Sequence, residues 1–169
     1  MIVSNIELKD MTEEDLPFLK EVYSDTRRTE LLQTGWSEEV KKVFLKMQFD
    51  AQHKHYQKTY KNASYQLIHC EGIPVGRLYI DRAENEIRMI DIAILESHQK
   101  KGIGSALINS LLKEAEQADK TLSIHVEANN PAMRLYLRLG FKKISETGVY
   151  HFMEYRPNQN QRLEASPCD

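Results

Sequence analysis

The stretch from Ile87 to Glu127 constrains this chain most. A β-branched run, Ile87 to Leu95, leads into a loop with two glycines, Gly102 and Gly104. A helical pattern follows from about Ile103 to Ala118, with Leu107, Ile108, Leu111, Leu112 and Ala115 as its apolar positions. Leu122 to Glu127 is again strand-like. The apolar period changes from two residues to three and four and back again, so this part is expected to fold as strand, loop, helix and strand.

The flanking sequence adds elements of both kinds. Ile2 to Leu8 reads as a first strand. Thr12 followed by Glu13, Glu14 and Asp15 is a helix start, and that helix carries Leu16, Leu19 and Val22 and ends near Arg27 and Arg28. A second start at Ser37 opens a helix to about Tyr60, with Val40, Val43, Phe44, Met47 and Ala51 at helical spacing. Tyr65–Cys70, Val75–Ile80 and Ile87–Leu95 form an expected three-stranded meander. Asn129-Asn130-Pro131 begins a short helix that closes at Gly140, and Phe141–Ser145 pairs with Val149–Arg156. The fold class is α/β, a mixed sheet in one layer with helices packed over it. One domain over residues 1–156 is expected, with 157–169 a polar, flexible tail.

Composition removes several function classes. The formal net charge of -2 offers no broad positive field for a nucleic-acid backbone. No window approaches the roughly 20 apolar residues of a membrane helix, and the N-terminal segment lacks the features of a signal peptide. Cys70 and Cys168 are too few and too far apart for a disulfide framework and read as free thiols. A cytoplasmic protein is expected. His53 and His55, two apart on a helix, point in different directions, so no metal is expected there.

The loop Gln99-Lys100-Lys101-Gly102-Ile103-Gly104-Ser105 carries the chemistry. A helix start exposes unpaired amides and the positive end of the helix dipole, which attract phosphate. Glycines let an anion approach the main chain. The dinucleotide fingerprint needs a third glycine where Leu107 stands, and the nucleoside-triphosphate loop needs a Gly-Lys-Ser/Thr ending that is absent. A pyrophosphate cradle and a merely structural turn both fit the loop taken alone.

Two longer blocks carry a resemblance. IDIAILESHQKKGIGSALINSLL, from Ile90 to Leu112, resembles the coenzyme A-binding motif of the GNAT superfamily of N-acetyltransferases, with Gln99, Gly102 and Gly104 at its signature positions. HVEANNPAMRLYLRLGF, from His125 to Phe141, is similar to that family's second core motif. With the two helices and the meander before them, the resemblance runs from about Ile2 to Arg156.

The resemblance implies a mostly antiparallel sheet with a V-shaped splay and helices on both faces. It also implies acetyl-CoA as cosubstrate, without a metal. Main-chain groups of Ile92, Ala93, Ile94 and Leu95 would then meet the pantetheine arm and thioester, and the amides of Gln99, Lys100, Lys101, Gly102, Ile103, Gly104 and Ser105 would hold the pyrophosphate. Tyr136 matches the family tyrosine beside the coenzyme sulfur, and Asn130 would bond the coenzyme or cap the helix. A phenol, with an ordinary pKa near 10, can donate to a departing thiolate. A lysine-type amine is mostly protonated at pH 7 and needs a base. Alternation on Leu122–Glu127 sends His125 and Glu127 away from the core, and His125 stands where some family members carry a base; Glu127 and Asp91 are its rivals. Trp36, Phe44, Met47, Phe49 and Tyr56 are either core or an acceptor-pocket lining.

The expected activity is direct acetyl transfer to a primary amine of a small molecule or peptide within a ternary complex. The alternatives are an acyl-CoA-binding module without turnover, or transfer of another acyl group. The resemblance also brings in a homodimer, since dimers are frequent in the family.

Overall fold

The computed structural model describes residues 5–157. Their order is β1 (Ile6–Asp10), a 3-10 turn, α1 (Leu16–Leu32), α2 (Glu38–Thr59), β2 (Ser64–Cys70), β3 (Ile73–Arg82) and β4 (Glu86–Ile94). A second 3-10 turn at Glu96–His98 precedes α3 (Ile103–Ala118), β5 (Thr121–Glu127), α4 (Met133–Arg138), β6 (Lys142–Thr147) and β7 (Tyr150–Tyr155). The strands make a seven-stranded sheet in the order β1-β2-β3-β4-β5-β7-β6. β1 pairs β2, and β7 pairs both β5 and β6, antiparallel; β4 pairs β5 parallel. Parallel neighbours require a crossover, and α3 supplies it. The parallel register runs from Glu86↔Thr121 to Met89↔Ile124, while β4 continues to Ile94 and β5 to Glu127.

The fold is therefore the mixed α/β arrangement expected. The tail from 158 onward and Cys168 lie outside the described residues, as do residues 2–4 of the expected first strand. Among the described residues no helix is long and apolar enough to cross a membrane, and no group of three or more His, Cys, Asp or Glu could hold a metal ion.

The chain divides into two compact units. One comprises residues up to Tyr79 together with Asp91–Gly104. Its core gathers Leu19, Tyr23, Phe49 and Leu67, with Met11, Leu16, Phe18 and Leu45 against them. Two elements depart from expectation. α1 does not stop at Arg27 and Arg28 but continues to Leu32. Arg28 pairs with Asp25 and Arg27 with Glu30 at helical spacing, and Leu31 is buried, so the basic pair sits inside the helix. On α2 the stripe of Val40, Val43, Met47 and Ala51 faces outward; Val43 is 61% and Met47 65% exposed. Phe49, at 2%, is the buried residue of that helix.

The other unit comprises Ile80–Ile90 and the chain from Ser105 on. α3 buries Leu107, Ile108, Leu111, Leu112 and Ala115, the positions its sequence period picks out. Leu122, Ile124 and Val126 of β5 are buried, as are Phe141 and Met153. Arg82 grips Glu114 of α3 with two bonds of 2.7 and 3.0 Å. Thr121 N–H donates to the Asn85 carbonyl at 3.1 Å, which fixes the start of β5. α4 is shorter than expected, six residues, and β6 carries a register shift between Lys143 and Ser145.

Candidate functional site

In the first unit, the end of β4 is held tightly against β3. A Cβ on Gly76 would come 2.3 Å from the Ala93 carbonyl oxygen, so only glycine permits the observed approach. Leu95 N–H donates to the Val75 carbonyl at 2.9 Å, and the Leu95 carbonyl accepts from His98 N–H at 2.8 Å. Leu95 is thereby engaged at both main-chain groups. The Gln99 side-chain amide turns back to the Ile94 carbonyl at 2.8 Å. Asp25 of α1 accepts from Glu96 N–H at 2.7 Å and anchors the turn from outside.

The loop then reverses into α3. Lys100 (φ 61) and Gly102 (φ 85) both adopt the left-handed region. Glycine does so at little cost, whereas Lys100 carries some strain. Lys100, Lys101 and Gly102 are exposed, and buried Ile103 nails down the first residue of α3. A Cβ added to Gly104 would meet only Ile94 Cδ1, at 3.5 Å, so the main chain there is open to approach. The first four amides of a helix have no acceptor inside it. An exposed loop, two nearby lysines, open glycine backbone and a helix start fit a diphosphate.

Asp91 does not stand alone on β4. Its Oδ2 accepts from Arg77 Nη2 at 2.7 Å and lies 3.4 Å from the Tyr56 hydroxyl. Gln52 Oε1 accepts from the same Arg77 nitrogen at 3.0 Å. Burial, with Asp91 next, drives the Tyr56 phenol well above its ordinary range. Arg77, Gln52 and Tyr79 carry no motif in the sequence. The signal was present: Arg77 shares its strand phase with Val75 and Tyr79, so a charge falls at a core-facing position. His53 stacks on Phe49 with ring centroids 5.7 Å apart, which gives it a packing role. Trp36 and Met47 are exposed, while Phe44 and Tyr56 are half-buried.

In the second unit, the end of β5 alternates as expected: Ile124 and Val126 are buried, His125 is exposed and Glu127 half-buried, while Ser123, in phase with His125, is itself buried. His125 Nδ1 lies 3.4 Å from Arg88 Nη1, and its ring is 4.8 Å from that of Phe152. Arg88 also donates to Ser123 at 3.2 Å and to Glu86 at 2.9 Å, and Ser123 hydrogen-bonds Glu86. Burial first, then the Arg88 charge, lower the His125 pKa, with Glu86 opposing. For Glu86, burial alone would raise the pKa, but the bonds from Ser123 and Arg88 outweigh it and the net shift is downward.

Asn130 Oδ1 accepts from Ala132 N–H at 2.8 Å, and Asn130 N–H donates to the Glu127 carbonyl at 2.9 Å. Asn130 thus shapes the turn between β5 and α4. Tyr136 is 3% exposed, with its ring edge-to-face on Phe141 at 5.6 Å. Phe141 N–H donates to the Tyr136 carbonyl at 3.0 Å, closing α4.

Comparison with known proteins adds to this geometry. Residues 8–157 match the family model described as acetyltransferase (GNAT) domain. A protein of Sulfurisphaera tokodaii named N-alpha-acetyltransferase is 30% identical over 82 residues, 47% of this chain and 47% of that one. The chain thus matches about half the length of that curated relative. Among solved structures, the PaiA N-acetyltransferase of Thermoplasma acidophilum in complex with coenzyme A superposes with a TM-score of 0.68 at 17% identity, covering 90% of this chain and 99% of the other. A GNAT family acetyltransferase of Elizabethkingia anophelis with acetyl-CoA bound gives 0.56 at 16% identity, with 90% and 99% coverage.

Proposed function

The chain belongs to the GNAT acetyltransferase family, and on that premise we propose that it transfers an acetyl group from acetyl-CoA to a primary amine by direct attack. The loop from Gln99 to Ser105 supports the reading most: its left-handed Gly102 and open Gly104 present the first amides of α3. Those amides, with Lys100 and Lys101 beside them, would hold the diphosphate. Main-chain groups of Ile92, Ala93 and Ile94 would orient the pantetheine arm and polarise the thioester. When bound, acetyl-CoA supplies an acyl carbon open to attack by an uncharged amine.

Tyr136 is assigned the proton for the departing thiolate, and His125 the acceptance of the amine proton, directly or through water. Asp91 is the less available candidate, because Arg77 and Tyr56 already converge on its Oδ2. The name of the curated relative puts α-amines at the head of the acceptor panel.

Steady-state release of free thiol from acetyl-CoA, measured over peptides, polyamines and amino acids, tests this reading. Turnover with at least one amine is expected. Tyr136→Phe is expected to lower kcat roughly 10- to 100-fold while coenzyme affinity by calorimetry holds. Tight coenzyme binding with no thiol release on any amine would favour a binding module. Unchanged turnover in Tyr136→Phe would take that hydroxyl out of the mechanism.

A further inference from the structure

The first unit holds a buried charge that the assigned chemistry does not use. Arg77 is 2% exposed, and removing a guanidinium from water costs several kcal/mol unless it is well paired. Its surroundings meet that cost from four elements, its own strand included. Asp91 of β4 accepts at 2.7 Å and Gln52 of α2 at 3.0 Å. The guanidinium carbon lies 5.1 Å from the Tyr79 ring and 5.9 Å from the Tyr23 ring, so aromatic faces cover it. Well-packed apolar side chains filling the space of a buried ion pair often serve stability as well or better. What the ion pair adds is a fixed position.

That position is the strand end to which the thioester contacts are assigned. β4 is fastened toward β3 at alternate residues. Asp91 is held by Arg77, the Ala93 carbonyl packs where Gly76 has no Cβ, and Leu95 N–H bonds the Val75 carbonyl. The last two are backbone contacts that any side chain on β4 would tolerate. The first is the only side-chain bolt of the three, and it alone reaches α2, through Gln52 and through the Tyr56 hydroxyl at 3.4 Å from Asp91. Tyr65 in turn donates to the Tyr56 and Tyr60 carbonyls at 2.8 and 2.9 Å, which fixes the end of that helix.

We propose that Arg77 is a positioning residue for acyl transfer: acting through Asp91, it sets the main chain of Ile92–Ile94 at the register in which those groups polarise the thioester. This rests on the acetyltransfer reading. It requires no proton to move at Asp91, whose carboxylate serves as a tether. A displacement of about 1 Å at such a site can cost roughly 100-fold in rate.

The test compares wild type with the double variant Arg77→Met/Asp91→Leu and the single variant Asp91→Asn. Thermal midpoint, coenzyme A affinity by calorimetry, kcat with its pH profile, and the amide chemical shifts of Ile92, Ala93 and Ile94 are measured on each. The double variant is expected to keep a midpoint near wild type and near-normal coenzyme affinity, yet lose about 100-fold in kcat. A double variant both stable and fully active would overturn the proposal. If the double variant does not fold, Asp91→Asn decides. It is expected to lose roughly tenfold in kcat below its own midpoint, with the pH profile unchanged in shape. Full turnover there, or loss of the acidic limb, would overturn the proposal, the latter by making Asp91 the base. Absence of thiol release from the wild type on every amine defeats the parent reading instead. The amide shifts then still report: they must move in the variants, and unmoved shifts at Ile92–Ile94 sink the positioning role.

Discussion

Arg88 lies 3.4 Å from His125 Nδ1, and a guanidinium can only donate. The contact therefore keeps Nδ1 as an acceptor and places the proton of the neutral ring on Nε2. In the role proposed for it, His125 would take the amine proton at Nδ1, in competition with Arg88. Its pKa is lowered by burial first and by Arg88 second. A base works when unprotonated, so rate rises with pH through its pKa, and with His125 in that role the limb is expected below the ordinary value of about 6.5. Arg88→Met removes the cation, and the acidic limb of kcat/KM against pH is expected to move up toward neutrality. A limb that stays put would assign the proton to another group. The sequence carried His125 and Glu127 to the correct face by alternation alone, because Ile124 and Val126 demand the core. It could not carry Arg88 or Ser123, whose roles depend on which strands become neighbours.

At the scale of elements, the meeting of β3 and β4 is the least forgiving. A methyl group at Gly76 would press on a backbone carbonyl, which cannot rotate away as a side chain can. Gly76→Ala is expected to cost roughly 1–3 kcal/mol of stability in denaturant titration, and to depress kcat more than coenzyme affinity. Wild-type values on both counts would show that the strand end shifts freely. α3 was readable because its glycine loop and apolar spacing agree with each other. The bounds of α1 and the buried face of α2 were not. Arg27 and Arg28 read as a helix end, yet charge pairs at three-residue spacing let the helix run on to Leu32. On α2 the stripe from Val40 to Met47 had the right period, but a period tells which residues share a side and says nothing of which side is covered. Phe49 took the core instead.

For the whole molecule, two sequence blocks in the right order were enough to identify the family, since matching residues cover 8–157. The acceptor was not legible, because its selection depends on side chains gathered from separate elements. Val40, Val43 and Met47 recur at helical spacing along the start of α2, Trp36 lies just before it, and all four are exposed. The formal net charge of -2 gives little electrostatic repulsion between copies. Ammonium sulfate strengthens apolar association, so this protein is expected to salt out early and to bind tightly to a phenyl column. Replacing Val43 and Met47 with glutamate should bring elution forward, and an unchanged elution position would locate the sticky surface elsewhere. Sizes measured by gel filtration in high sulfate would then overstate how many chains associate in dilute buffer.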